Sequence, residues 1–352
     1  MRVRSDIEKM KEFGVYSGVC HAKLDQNESP YPLPDKIQRQ LSELGGSLPY
    51  NRYVTMADVT QLKHEISAYL DVSEDMIAIG AGADSFIHTL IEMWAIGRGK
   101  VLVLSPSYPA YSIFSTVNGV EVISSELSPE NFSIQKDDFL HKLSAVSLAF
   151  ITYPNNPTGN LFDKELLLSA IDNNPDVMFV IDEAYGEYAN DSFIPYIEKY
   201  TNITVIRTFS KYFSVPGIRL GYCVARPEHR ILIERCQFVP YNVSLFSLKV
   251  GSVLLTEKSE FAQQKACIES ERFRVSTKLS SISSIRVVPS LTNFLFIHHH
   301  DITLSEKLAT HGIFVRNFGS MPGLSGYFRV TIGSKEENSA FLMALEDSCR
   351  YD

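Results

Sequence analysis

A lysine at the end of an apolar run is the first chemical signal in this chain. In "VIRTFSKYFSVPGIRLGY", residues 205–222, Lys211 stands directly after Ser210, and Arg219 follows behind a Pro-Gly turn. Other short apolar runs end on groups of the same kind. "MIAIGAG" leads into Gly80-Ala81-Gly82-Ala83-Asp84, and "KVLVLSPSY" reaches Tyr108. "AVSLAFIT" is followed by "YPNNPTG" with Asn156, and "VMFVI" by Asp182 and then Tyr185. In open α/β sheets ligands bind outside the carboxyl ends of the strands, so these groups are expected on one sheet edge.

Taken singly, each has a bland reading. Lys211 would be a solvated surface charge, Ser210 a cap, Asn156 a structural turn between prolines and Asp182 a helix N-cap. The glycine turn would be a plain strand–helix connection. The alternative for that turn is an anion cradle, because a helix N-terminus offers free N–H groups and the positive dipole end. "GAGADS" is half of a dinucleotide fingerprint and lacks the third glycine. Taken together, a lysine, a buried acid, a phosphate cradle and an aromatic ring are what pyridoxal phosphate requires. The lysine amine condenses with the aldehyde, the acid keeps the pyridine nitrogen protonated, and the cradle with Ser210 and Arg219 holds the phosphate. No metal is needed. The His298-His299-His300 run follows an apolar strand, where neighbouring side chains point to opposite faces, and reads as a surface turn.

The elements that must position these groups are legible as hydrophobic patterns. The Pro-rich stretch "NESPYPLPDK" excludes a helix. Residues 58–70 read as a helix, with Val59, Leu62, Ile66 and Tyr69 at helical spacing. "DSFIHTLIEMWAIG" reads as another, with Phe86, Leu90, Ile91 and Trp94 on one face. The strand candidates, including "GVEVISSE" and "ITVIRTFS", are short and mostly β-branched, which implies a mainly parallel sheet covered by helices on both faces. A long charged helical stretch is read over residues 228–281. It leads to "RVVPSLTNFLFIHH", "GIFVRNF" and "YFRVTIGS", a small α+β unit. The expected division is an N-terminal arm with part of the small domain over 1–45, a large cofactor-binding domain over 46–240, and a small domain over 241–352.

The chain's 352 residues suit one large and one smaller domain. A net charge of -8 argues against nucleic acid or an anionic membrane as the main partner. No apolar run approaches the roughly 20 residues a bilayer span requires. Five dispersed cysteines without a Cys-x-x-Cys pair fit a reducing compartment, and the cytoplasm is the expected location.

At this level the chain resembles the histidinol-phosphate aminotransferase family among the fold-type I pyridoxal-phosphate enzymes. The resemblance rests on "LDQNESPY", "GAGADSFI", "SPSYPAY", "YPNNPTG", "VIDEAYGEY", "RTFSKYFSVPGIRLGY", "PYNVS", "TNFLF", "GIFVRNF" and "FRVTIGSKEEN", in family order from about residue 23 to 338. It implies that Lys211 carries the cofactor and moves the substrate α-proton, and that Asp182 partners the ring nitrogen. Tyr185 and Asn156 would serve the ring's phenolic oxygen, and Tyr108 would stack on the ring. Gly82, Ala83, Asp84, Ser210 and Arg219 would hold the phosphate. It further implies a homodimer in which Tyr53 reaches the neighbouring subunit's cofactor. Arg329 and Arg316 would bind the substrate anion, and Asn27 and Tyr16 would cover the substrate. The implied reaction is transamination of L-histidinol phosphate with 2-oxoglutarate.

Some positions depart from the pattern: Ser29 and Pro32 in the arm, and Tyr212, Ser214, Val215 and Pro216 around the lysine. They leave open an aminotransferase for an aromatic or another phosphorylated amino acid, or a related decarboxylase. Outside the cofactor class, a nicotinamide oxidoreductase using the glycine turn and a non-catalytic binding protein are the rivals.

Overall fold

The computed structural model describes residues 3–10 and 20–349. Two sheets organise them. The larger is built from β2 (Ile77–Gly80), β3 (Val101–Ser105), β4 (Val122–Glu126), β5 (Leu148–Thr152), β6 (Met178–Asp182), β7 (Ile203–Thr208) and β8 (Gly221–Ala225). The smaller comprises β1 (Ala22–Leu24), β9 (Ile285–Val288), β10 (Phe294–His299), β11 (Ile313–Asn317) and β12 (Tyr327–Thr331).

The larger sheet runs β2-β8-β7-β6-β5-β3-β4. Only β8 opposes the other strands; it is antiparallel to both β7 and β2. Every residue of β5, β6 and β7 is buried, as expected for parallel strands covered on both faces. The covering helices bring their own apolar stripes. Ala83–Trp94 buries Phe86, Ile87, Leu90 and Ile91. Met56–Leu70 buries Val59, Leu62 and Ile66 behind a capping box of Thr55 and Asp58. The strand read from "GVEVISSE" forms as β4 at the sheet edge, where Ser125 alone is fully buried.

The smaller sheet runs β1-β11-β12-β10-β9. Here β1, from the N-terminal part of the chain, pairs in parallel with β11, near the other end. The Pro-rich stretch is non-helical until the helix Asp35–Ser47 begins behind Pro34.

Two expectations are corrected. Residues 228–281 do not form one charged helix. The segment divides into Pro227–Cys236, Leu245–Thr256 and Lys258–Ser280. The first break falls at Phe238 (φ 55) and Pro240; proline cannot supply the N–H that a helix needs. The middle helix is apolar and buries Leu248, Val250, Leu254 and Leu255 in the core of the larger sheet. Likewise, the histidine run is not a surface turn. His298 and His299 complete β10, and His299 is fully buried, its Nδ1 accepting the Asp301 N–H at 3.0 Å. Only His300 lies beyond the strand, exposed. Among the described residues no helix is long and apolar enough to cross a membrane.

Candidate active site

A cavity of about 400 Å³ opens at the carboxyl ends of the large-sheet strands, under one edge of the smaller sheet. That size is ordinary for a small-molecule site. Lys211, Asp182, Tyr185, Ala83, Asp84, Tyr108, Asn156, Ser210, Arg219, Asn27, Arg316 and Arg329 all line it, so most of the predicted site residues converge.

Asp182 is the last residue of β6 and lies 3% exposed. Its Oδ1 accepts the Ala184 N–H at 3.0 Å and its Oδ2 accepts the Tyr111 hydroxyl at 2.7 Å. Burial pushes its carboxyl up to about 6, against those two donors. Lys211 follows the β7 end, and its Nζ donates to the Gln26 carbonyl at 2.9 Å. Burial, then the nearby Arg329 charge, lowers the amine to about 8. An amine so poised supplies both a neutral base and an acid near neutral pH. The ends of β6 and β7 are tied together by a buried ion pair, Arg207 Nη2 to Glu183 Oε2 at 2.7 Å. That pair stands one residue behind Asp182 and one before Thr208.

The glycine turn is shaped by close approaches. Gly82 has φ 80, which favours glycine, and a Cβ there would meet Arg219 Nη2 at 2.9 Å. A Cβ on Gly221 would strike the Gly82 carbonyl carbon at 2.7 Å and the Ala83 nitrogen at 2.8 Å. Gly82 therefore does not face the cavity itself; it lets the turn into Ala83–Trp94 pass beneath Arg219. The Asp84 carboxylate is engaged by Arg219 at 2.8 Å and by the Tyr108 hydroxyl at 3.2 Å. Ser210 Oγ accepts from Thr208 at 2.9 Å.

On the small-sheet side, Arg329 of β12 donates to Asn156 Oδ1 at 2.5 Å and to the Asp25 carbonyl at 2.7 Å. Its buried Nε has no hydrogen-bond partner among the described residues. Burial first, with Arg316 adding repulsion, lowers its guanidinium to about 10. Arg316 of β11 is its direct cross-strand partner, so two like charges stand opposite each other at this edge of the cavity. Asn27, with φ 54, donates from Nδ2 to the Tyr185 hydroxyl at 2.7 Å. Tyr185 is 3% exposed, and burial raises its hydroxyl above the ordinary range.

Besides Gly82, one predicted residue among those described falls elsewhere. Tyr53 does not line its own chain's cavity; it is 85% exposed and meets Tyr241 edge-on at 5.5 Å. Tyr16 lies outside the described residues. Sequence reasoning missed Tyr111, Thr152 and Gly221. Tyr111 carried a signal, since it stands three residues after Tyr108 in "SPSYPAY".

These groups fit pyridoxal phosphate: a buried amine, an acid held by two donors, an aromatic ring, and a cationic side chain over a helix N-terminus. Fold and cavity together define a fold-type I enzyme that works with this cofactor. A family model described as aminotransferase class I and II matches residues 21–345. The histidinol-phosphate aminotransferase of Ruminiclostridium cellulolyticum is 32% identical, covering 99% of this chain and 98% of the relative. The crystal structure of the histidinol-phosphate aminotransferase from Clostridium acetobutylicum superposes with a TM-score of 0.85 at 28% identity, over 93% of this chain and 98% of that one. The Sinorhizobium meliloti histidinol-phosphate aminotransferase, in complex with pyridoxal-5'-phosphate, shares the fold with a TM-score of 0.84 at 20% identity, over 99% and 98%. The chain belongs to the class I and II aminotransferases and, within them, to the histidinol-phosphate aminotransferase family. It is a pyridoxal-phosphate-dependent transaminase, which sets aside the nicotinamide and non-catalytic readings.

Proposed function

We propose that this enzyme transfers the amino group of L-histidinol phosphate to 2-oxoglutarate, giving imidazole acetol phosphate and L-glutamate. The observation that carries the reading is the arginine pair. Arg316 and Arg329 face each other across β11 and β12 and both line the cavity that holds Lys211. Such a pair suits a substrate bearing a phosphate or a carboxylate, and a planar guanidinium grips either one bidentately. The relatives' shared name favours transamination over the decarboxylation considered from the sequence.

Pyridoxal phosphate, when bound, supplies an aldehyde for an amine and a protonated ring that accepts electrons from the substrate's α-carbon. Lys211 would take the proton from that carbon and return it, its lowered basicity matching the task. Asp182 would hold the proton on the ring nitrogen. Tyr185 and Asn156 would serve the phenolic oxygen, and Tyr108 would lie on the ring face. The turn at Gly82, Ala83 and Asp84, with Ser210 and Arg219, would hold the phosphate; Arg219 would have to share itself between phosphate and Asp84. Asn27 would sit on the substrate side.

An exposed aromatic patch supports a homodimer with shared sites. Tyr50, Tyr53, Phe238 and Tyr241 are each more than half exposed, and Tyr241 meets both Tyr53 and Phe238 at ring-contact distance. Soluble proteins seldom leave such a patch open to water. A second copy would cover it and bring Tyr53 to the neighbouring cofactor. The cytoplasm is the proposed location.

Two expected results test this reading. Arg329→Lys keeps the charge but loses the fork, and should raise the KM for histidinol phosphate about 10- to 100-fold, the scale of one charge-assisted hydrogen bond. An unchanged KM in a steady-state assay would remove Arg329 from the substrate site. The second concerns pH. Only the neutral Lys211 amine attacks an aldehyde, and its pKa near 8 means protonation below that and deprotonation above it. Capture of pyridoxal phosphate by the cofactor-free chain should therefore quicken by roughly fivefold for the unit of pH leading up to that pKa. Stopped-flow growth of the yellow band measures it; a rate flat through that range would place the amine's titration elsewhere.

A further inference from the structure

Asp182 is held by a residue that none of the roles above includes. Tyr111 lies in the helix Ala110–Val117 and is fully buried. Its ring stacks on Phe150 at 4.6 Å and 5°, and meets Tyr108 edge-on at 5.6 Å. Its hydroxyl lies 2.7 Å from Asp182 Oδ2 and 2.9 Å from Thr152 Oγ1. A carboxylate only accepts, so the tyrosine proton goes to Asp182, and Thr152 must donate to the tyrosine oxygen. Ser107 Oγ lies 2.9 Å from Thr152 Oγ1 and donates to Asn155 Oδ1 at 3.2 Å. The donors thus point one way, from Thr152 through Tyr111 to Asp182, each polarising the next.

We propose that Tyr111 positions Asp182 and keeps it anionic, so that the acid can hold the proton on the cofactor's ring nitrogen. The proposal rests on the reading of Asp182 as that partner. The surroundings explain why such a residue is required. Burial alone drives Asp182 toward its neutral form, and Asp84 at the start of Ala83–Trp94 and Glu183 beside it add like charge. Against them stand the Ala184 N–H and the Tyr111 hydroxyl. Tyr108 and Tyr185 are themselves held protonated by burial. Lys211 and Arg329, from β7's end and β12, line the same cavity but make no hydrogen bond to this carboxylate. Tyr111 is therefore the only side-chain donor on Asp182 among the described residues.

The test is Tyr111→Phe in the holoenzyme, which keeps both ring contacts and removes only the donor. The pH midpoint of the yellow band reports the proton on the Lys211 nitrogen, and a protonated ring nitrogen lowers that midpoint by like-charge repulsion. With a more basic Asp182 the ring proton moves to the carboxylate, so the midpoint should rise by about half a pH unit or more, and kcat should fall about tenfold. Thr152→Val should move it the same way by less, and Asp182→Asn by more. If Asp182→Asn shifts the midpoint and Tyr111→Phe does not, Tyr111 is only packing and the proposal is overturned. If Asp182→Asn itself leaves the midpoint in place, the underlying reading of Asp182 falls with it.

Thermal melts of the full chain without added cofactor give a second readout. Asp182's folded pKa of about 6 lies above the unfolded value of about 3.9. Its buried charge therefore costs stability above pH 6, and the cost vanishes as pH falls through 4. Loss of the Tyr111 hydroxyl adds to that cost only where Asp182 is ionised. The Tm deficit of Tyr111→Phe should therefore be larger near pH 8 than near pH 4.5. An equal deficit at both would overturn the proposal even in a variant that binds cofactor poorly.

Discussion

Replacing Lys211 with alanine is expected to abolish turnover, by about 10⁴-fold or more, because on the proposed reading one side chain would carry both the covalent attachment and the proton transfers. The fold should survive. Lys211 is partly exposed, belongs to none of the apolar core clusters, and its amine makes one hydrogen bond, to the Gln26 carbonyl. Losing it removes a desolvated amine, so the thermal midpoint should not fall. Steady-state assays with a melting curve on the same preparation separate the two effects. A variant that kept full activity would sink the assignment of Lys211.

The second large effect is expected at Asp182. Asp182→Asn preserves shape and can still accept from the Ala184 N–H, but it removes the anion. A ring nitrogen without a negative partner loses its proton and with it most of its capacity to store electrons. The loss in kcat should be about 10²- to 10³-fold, the scale of one preorganised electrostatic partner. Binding of the cofactor should suffer less, because the phosphate end and Tyr108 are untouched. Normal turnover in this variant would mean that Asp182 merely packs at the end of β6.

Much of this site was legible in the sequence because parallel strands buried on both faces are mostly apolar. The polar residues that follow each run therefore mark the sheet edge, and Asp182, Asn156 and Ser210 with Lys211 announced themselves in this way. The cofactor class followed from residue chemistry alone, whereas the assignment of Arg329, Arg316, Asn27 and Tyr53 to roles came from family resemblance.

What stayed hidden depended on packing. Tyr111 stands three residues after Tyr108, but only the third dimension puts its hydroxyl on Asp182. Gly221 starts β8, a strand not read from the sequence, and its missing side chain is what admits the turn at Gly82. The buried Arg207–Glu183 pair joins residues on two separate strands and left no local pattern. The helical stretch after residue 226 was misread because charge dominates its composition, while the apolar middle helix Leu245–Thr256 packs inward and Pro240 interrupts the run. The histidine run deceived in the opposite sense, since polar residues at a strand end suggested a turn where β10 continues through His299.

The most direct test of the central claim is a titration of the yellow holoenzyme, followed by its visible spectrum, with L-histidinol phosphate, then with aromatic amino acids and glutamate in turn. The expected result is that histidinol phosphate at low concentration converts the yellow band to the pyridoxamine form and that 2-oxoglutarate restores it. A band that ignores histidinol phosphate and responds only to another amine would contradict the proposed substrate. A protein that shows no band even with added pyridoxal phosphate would contradict the role of Lys211 itself.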